Sequence, residues 1–343
     1  MRLRHLLAIS AATILLVSGC APTPTPEPSA SPSAATPTPT PTPTQAPPVE
    51  PTPAFTLTCA DVGAALAAVI GEPSTPMHPA LSTVSTMNWI PGPAQYMFQR
   101  AGGIACSAGD ESAHWEVAVV PDGPDVFDGA LERGAPLTPG GGCESGGCTF
   151  ELTEGDVHLS ATMRGPWVDA NAAGIESALR ALVATAAANV RVVALADSDI
   201  VGARCERFLT AEELSALLGT EAVLQSSFGG WGIPAEVYEV VNGSTICYFR
   251  GPGDEYSSPA LLQITGLPAG AWAFDRQEGT PVVVEGADEA KTSAGEHGET
   301  HLDLRVGPDW IRMTTYDGSA SSDPLAIAVR LVRNLTVGHL APQ

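Results

Sequence analysis

The chain has one lysine, Lys291, and its 16 lysines and arginines face 38 acidic residues, for a formal charge of −22. A surface of that sign repels phosphate, which excludes nucleic acid as a partner and disfavours lying flat on an anionic bilayer. Aromatic residues make up only 6%. The apolar run Leu6–Val17 is shorter than the roughly 20 residues a membrane span needs, and no longer run follows it. The G-x-S-x-G turn of serine hydrolases is missing, and Asp288 stands where an S-x-x-K motif ending at Lys291 needs serine. Paired C-x₂-C motifs with matching histidines, the signature of structural zinc, are missing too.

The N-terminus carries a clear address. Arg2 and Arg4 precede the apolar run, and the small residues Ser18 and Gly19 follow it, so residues 1–19 have the three parts of an export signal. Val17-Ser18-Gly19-Cys20 resembles the lipobox of bacterial lipoproteins. That resemblance implies cleavage before Cys20 and palmitate-type acylation at it. Two acyl chains anchor stably where one holds only marginally. The expected location is the outer face of the bacterial cytoplasmic membrane, facing the cell wall, with the membrane as a partner through lipid on Cys20. Residues 20–54 are then a tether, composed almost entirely of Pro, Thr, Ala, Ser and Glu. Such a segment cannot bury enough apolar surface to fold, and its prolines favour extended polyproline II. At about 3.1 Å per residue it reaches on the order of 100 Å.

Seven cysteines divide into Cys20 and six that can pair, and six allow fifteen connectivities. An internal repeat narrows the choice. Trp89-Ile-Pro-Gly-Pro-Ala-Gln-Tyr96 resembles Trp231-Gly-Ile-Pro-Ala-Glu-Val-Tyr238, and each block leads through glycine to a cysteine, Cys106 or Cys247. Upstream, Thr58 with Asp61 and Thr210 with Glu213 are capping boxes. The helix after the first places Val62, Ala65, Leu66, Val69 and Ile70 on one face and stops at Gly71. The second places Leu214, Leu217 and Leu218 and stops at Gly219. Downstream, alternation predicts strand pairs at Phe150-Glu-Leu with Val157-His-Leu and at Leu302-Asp-Leu with Trp310-Ile-Arg-Met. Closing helices follow, one bearing Ile175, Leu179, Leu182 and Val183, the other Ile327, Leu331 and Leu335.

The fold class expected is α+β: two tandem similar modules, residues 55–195 and 196–343, each an antiparallel sheet with N- and C-terminal helices. A shared bridge in each repeat gives Cys59–Cys106 and Cys205–Cys247, leaving Cys143–Cys148 as a local clip. The bridges are analogous rather than superimposable, because Cys59 follows its capping threonine while Cys205 precedes its own.

Three patterns invite a chemical reading. His297, Glu299, His301 and Asp303 alternate, so a strand sets them on one face as a weak zinc candidate. Leu302, Leu304 and Val306 take the other parity, so the stronger reading is the solvent face of an amphipathic strand. Asp122, Asp125 and Asp128 lack EF-hand spacing and read as a solvated turn. Trp89, Tyr96, Trp231 and Tyr238 form either an aromatic binding surface or, as the stronger reading, plugs for each module's own core. No cofactor, metal or catalytic residue is expected.

Cys205-Glu-Arg-Phe-Leu-Thr-Ala-Glu-Glu-Leu-Ser-Ala-Leu-Leu-Gly219 resembles actinobacterial cell-envelope lipoproteins of unknown function. In these a lipobox and low-complexity linker precede a cysteine, an L-T-x-E-E-L helix and a second cysteine in a strand. The likeness covers the signal, the linker and the second module, and is weak at Leu57-Thr-Cys-Ala-Asp61. It implies an α+β fold with an antiparallel sheet, is compatible with the Mog1/PsbP-like or mycobacterial sensor-domain architecture, and brings no catalytic residues. The functional expectation is a non-enzymatic envelope protein binding a lipid, glycan or protein. The alternative is an envelope hydrolase or metal-dependent enzyme with a dispersed site.

Overall fold

The two capping boxes form. The Asp61 N–H donates to Thr58 Oγ1 at 3.3 Å and the Thr58 N–H returns to Asp61 Oδ2 at 2.9 Å. Glu213 and Thr210 repeat the exchange at 3.1 and 3.0 Å. Both pairs satisfy N–H groups that a helix start otherwise leaves orphaned. A computed structural model describes residues 49–82, 91–225, 230–253, 258–295, 298–316 and 323–337. The expected export signal, Cys20, most of the expected tether, Trp89 and His297 lie outside the described residues.

The chain begins with α1 (Cys59–Ile70), then a tight turn at Pro93–Tyr96 that runs into α2 (Met97–Arg100). β1 (Ile104–Gly109), β2 (His114–Pro121), α3 (Gly123–Glu132), β3 (Gly142–Glu144), β4 (Gly147–Glu154), β5 (Val157–Arg164) and α4 (Val168–Ala187) follow. A connection without regular structure leads to α5 (Cys205–Phe208), α6 (Ala211–Leu218), β6 (Val223–Leu224) and α7 (Ile233–Ala235), the last opening into a wide helical turn, Glu236–Val241. β7 (Ile246–Arg250), β8 (Ala260–Leu267), α8 (Ala271–Phe274), β9 (Thr280–Val282), β10 (Glu289–Ala294), β11 (Thr300–Val306), β12 (Asp309–Thr315) and α9 (Pro324–Val337) complete the fold.

The strands form two antiparallel sheets, ordered β1-β2-β5-β4-β3 and β6-β7-β8-β12-β11-β10-β9. The class is α+β. One face of the first sheet, with Cys106, Val117, Phe150 and Leu159, packs on Val62 and Leu66 of α1 and Ile175, Leu179 and Val183 of α4. One face of the second, with Cys247, Phe249, Ile264, Leu304 and Met313, packs on Leu214 of α6 and Ile327, Leu331 and Leu335 of α9. Leu217, expected on the buried face of its helix, is 39% exposed. Glu213 beside it is occupied with Arg330 and Asn334 of α9, so that contact is polar.

Three disulfides stitch these layers. Cys59–Cys106 joins α1 to β1 and Cys205–Cys247 joins α5 to β7, each with Cα atoms 5.5 Å apart. Cys143 and Cys148 are bonded and directly opposite each other in the β3–β4 hairpin. Its turn uses positive φ at Ser145 and Gly146, 53° and 79°, as a tight hairpin of right-handed twist requires.

Two expectations change. The aspartates read as a solvated turn belong to α3: Asp122 precedes it at φ 54°, and Val126 and Ala130 bury its inner face. Gly123, Pro124 and Gly129 hide this helix from a propensity reading. His301 and Asp303 do not face solvent, being 6% and 0% exposed. Around β11 and β12 the second sheet is covered on both faces, so alternation there reported polarity and not exposure.

Candidate functional site

The second face of each sheet is covered partly by chain from the other half. Ala105, Ala118 and Val120 of the first sheet share a cluster with Ile233, Val237 and Tyr238. Leu267 and Trp310 of the second share one with Ala80 and Tyr96. The two Tyr-bearing segments are thus exchanged across a common seam. Tyr238 is wholly buried; its hydroxyl donates to Gly266 O at 2.7 Å and accepts the Gly266 N–H at 3.0 Å. Burial raises its pKa.

Polar clamps fix the seam. Arg100 is 2% exposed and donates through Nε to Pro268 O at 2.6 Å and through Nη2 to Ala196 O at 3.1 Å. Burial lowers its pKa, against the nearby Asp309 charge. Asn242, four residues beyond Tyr238 as Arg100 is four beyond Tyr96, sends Nδ2 to Met97 O at 2.9 Å. Arg133 Nη1 meets Glu236 Oε1 at 2.8 Å, Trp231 Nε1 donates to Glu236 Oε2 at 2.8 Å, and the guanidinium lies 5.8 Å over the Trp231 ring. Burial and the Glu236 charge raise the Glu239 pKa.

The richest part of the seam surrounds Tyr96. Its ring lies edge-on to Trp272 at 5.9 Å and tilted to Trp310 at 5.8 Å. Arg276 spans Trp272 and Tyr96, 5.1 and 5.7 Å from the two rings. Burial raises the Tyr96 pKa, with the arginines Arg276 and Arg312 and a bond from Gln277 opposing it. Beneath lies a buried network. Trp310 Nε1 donates to Asp303 Oδ1 at 2.7 Å, and Arg312 grips Asp303 through Nε and Nη2 at 2.8 Å each. Arg312 Nη2 also reaches Gln277 Oε1 at 2.9 Å. Gly92 sits so close that an added Cβ would fall 2.6 Å from the Arg312 guanidinium carbon.

Residues 50–54 close this cluster. Glu50 Oε2 accepts from Arg276 Nη2 at 2.5 Å. Arg191 donates to Pro53 O at 2.6 Å through Nη2 and to Ala54 O at 2.8 Å through its N–H, and the Ala54 N–H goes to Gly102 O at 2.7 Å.

Elsewhere a cleft of about 580 Å³ is lined by Phe274, Gln277, Val282, Glu289 and Lys291. Lys291 Nζ donates to Phe274 O and Gln277 O at 2.7 and 2.6 Å, so the lone lysine binds carbonyls at and just beyond the end of α8. On the first sheet His158 is wholly buried, its Nε2 2.8 Å from Glu151 Oε2 and its Nδ1 2.9 Å from the exposed Thr153 Oγ1.

Of the residues singled out by sequence, Tyr96 is drawn to Arg276 and the Trp pair, Trp231 to Arg133 and Glu236, and Tyr238 into the seam rather than its own half's core. His301 bonds Thr314 through Nδ1 at 3.0 Å, and burial lowers its pKa. Among the described residues no three His, Cys, Asp or Glu side chains converge to hold a metal. The alternation gave no sign of Trp272, Arg276 and Arg312, which meet Tyr96 only through tertiary packing. Comparison with known families, curated proteins and solved structures yields no match.

Proposed function

We propose that this chain is an exported, lipid-anchored binding protein of the cell envelope, built as two related modules, residues 55–195 and 196–343, that act as one body. The observation that carries the reading is where the tether joins the fold. Near the end of the Pro/Thr segment behind Cys20, Glu50 meets Arg276 against the aromatic cluster of the seam. A lipid leash that ends on such a cluster suits a module that presents the seam to envelope material. The three disulfides support an oxidising compartment.

Related modules are supported by matched details. A capping box, a helix-to-strand bridge and a Tyr segment occur in both halves, with the Tyr segment before the strand cysteine in each, although the cap precedes the first bridge cysteine in one half and follows it in the other. The Gly123 N–H donates to Asp156 O, and the Ala271 N–H donates to Pro308 O, at 3.0 and 2.9 Å. Each of these ties the helix after the second central strand to the turn of the last hairpin. Cys20→Ala tests the anchor: the variant is expected to stay uncleaved or to be released, and an unchanged, processed membrane fraction overturns it.

One observation favours the hydrolase alternative. Thr153, His158 and Glu151 form a nucleophile, base and orienter chain by distance. Incubation with a fluorophosphonate followed by peptide mapping decides it: an adduct on Thr153 selects the enzyme, and an unlabelled Thr153 rejects it.

A further inference from the structure

We propose that Glu50 is an internal stand-in for a ligand carboxylate, and that displacing residues 49–52, which precede the anchored Pro53 and Ala54, opens a site for carboxylated envelope sugars on Arg276, Tyr96 and Trp272. The inference deepens the binding-protein reading above and rests on it. The guanidinium of Arg276 spans two aromatic rings and holds one carboxylate, on a side chain that remains 34% exposed. That is the recognition set for a sugar acid: a planar fork for two carboxylate oxygens, and ring faces for the apolar side of a pyranose.

A second observation points the same way. Trp272 is 8% exposed, yet its Nε1 has no hydrogen-bond partner. A buried indole N–H is ordinarily satisfied, because a donor taken from water without a partner is destabilising. A sugar hydroxyl beside the ring supplies the missing acceptor. The occupying group also comes from the segment suited to leave. Glu50 lies in chain without regular structure, so exchanging its carboxylate for another costs one surface-edge ion pair and no core packing. Its attachment to the tether makes the exchange local to the anchor. Ligand binding and the docking of the tether's end are then competitive, and each weakens the other.

The test titrates the whole mature chain with N-acetylmuramic acid, N-acetylglucosamine, which lacks the carboxylate, and acetate, which lacks the sugar. Tryptophan emission and the indole N–H resonance of Trp272 are followed. N-acetylmuramic acid is expected to bind and to shift the Trp272 resonance, with little response to the other two. Glu50→Gln removes the competitor and is expected to tighten binding about tenfold. Arg276→Gln abolishes it, and Arg276→Lys, which keeps charge and fold but not the fork, weakens it at least tenfold. No response to N-acetylmuramic acid in Glu50→Gln, equal binding of the neutral sugar, or full affinity in Arg276→Lys overturns the proposal. None of these outcomes bears on the anchor, which membrane fractionation of Cys20→Ala judges alone.

Discussion

Trp310 donates its indole N–H to Asp303 Oδ1 at 2.7 Å, at the place on the second sheet that His158 and Glu151 occupy on the first, where Nε2 and Oε2 are 2.8 Å apart. The correspondence follows from the hairpins. Val306 pairs with Asp309 and Glu154 with Val157; each carboxylate precedes the closing pair on one strand, and each ring follows it on the next. What differs is the company of the carboxylate. Asp303 also holds Arg312, and both side chains are almost fully buried, at 0% and 4% exposure.

Removing one member of that pair strands the other. Asp303→Ala is expected to cost about 3–5 kcal/mol, because the Arg312 guanidinium then stays buried without its counter-charge. Thermal melting should fall by about 10 °C for a body of this size. Replacing both, as Asp303→Leu with Arg312→Met, should recover most of the loss. A single variant that melts within 2 °C of the parent, as roughly half a kcal/mol implies, shows that water reaches Arg312 and defeats the argument.

Asp309 gives stability a pH dependence of known sign. Burial pushes its carboxyl up to about 6, and Asp199 adds to the rise; bonds from Ser198 and the Ala269 N–H, with the Arg100 charge, oppose it. The folded value lies above the unfolded one near 3.9, so the folded state keeps a proton that the unfolded chain has released. This contribution is present in acid and is lost as pH rises through about 4 to 6. Its size is on the order of 3 kcal/mol. Asp110 acts with opposite sign and lower down. Bonds from Ser112, Ser74 and Ala113 hold its carboxyl near about 2, and what it adds is lost only as pH falls below about 4. Urea unfolding of parent and Asp309→Asn at pH 4, 5, 6 and 7 isolates the Asp309 share. The parent's stability relative to the variant should decline across that range, and a flat difference refutes the sign.

The long bridges should outweigh the short one. Cys59–Cys106 and Cys205–Cys247 close 47- and 42-residue separations, and Cys143–Cys148 closes 5. Chain-entropy arithmetic gives about 4 kcal/mol for each long loop and about 2 kcal/mol for the short one. Paired serine substitutions compared by urea unfolding check the order. A clip variant that loses more than either long-bridge variant shows that loop-closure entropy is not the governing effect.

The local grammar of the fold was legible from sequence, and its long-range consequences were not. Thr58 with Asp61, Thr210 with Glu213, and the stops at Gly71 and Gly219 act through neighbours a few residues away, so they can be read without a partner. The apolar faces of α4 and α9 report burial directly, because a 3.6-residue stripe has to be covered. The side chains of the seam carry no such period. Trp272 and Arg276 come from α8 and the turn that ends it, Arg312 comes from β12, and only the crossing of the Tyr96 segment onto the other half sets the tyrosine among them. The polar face of β11 misled for a related reason: Asp303 is affordable in the interior only because Arg312 and Trp310 meet it there.

Gly129 offers a test of the seam in which the usual helix rule reverses. It lies inside α3, where alanine ordinarily gains roughly 1 kcal/mol over glycine. Here an added Cβ would stand 2.5 Å from Glu236 Oε1 and 3.2 Å from Arg133 Nη1. Glu236 is 3% exposed and holds both Arg133 and Trp231, so it cannot swing aside without leaving those partners. Hydrogen bonds to charged groups are worth about 1.5–3 kcal/mol, which exceeds the helix gain. Gly129→Ala is therefore expected to destabilise by about 1 kcal/mol and to shift Trp231 emission to the red. With Glu236→Ala in the background the obstruction is gone, and the same glycine change should become stabilising. That reversal in a double-mutant cycle is the signature of the contact. The same sign in both backgrounds would mean that α3 and the Glu236 turn are not pressed together across the seam.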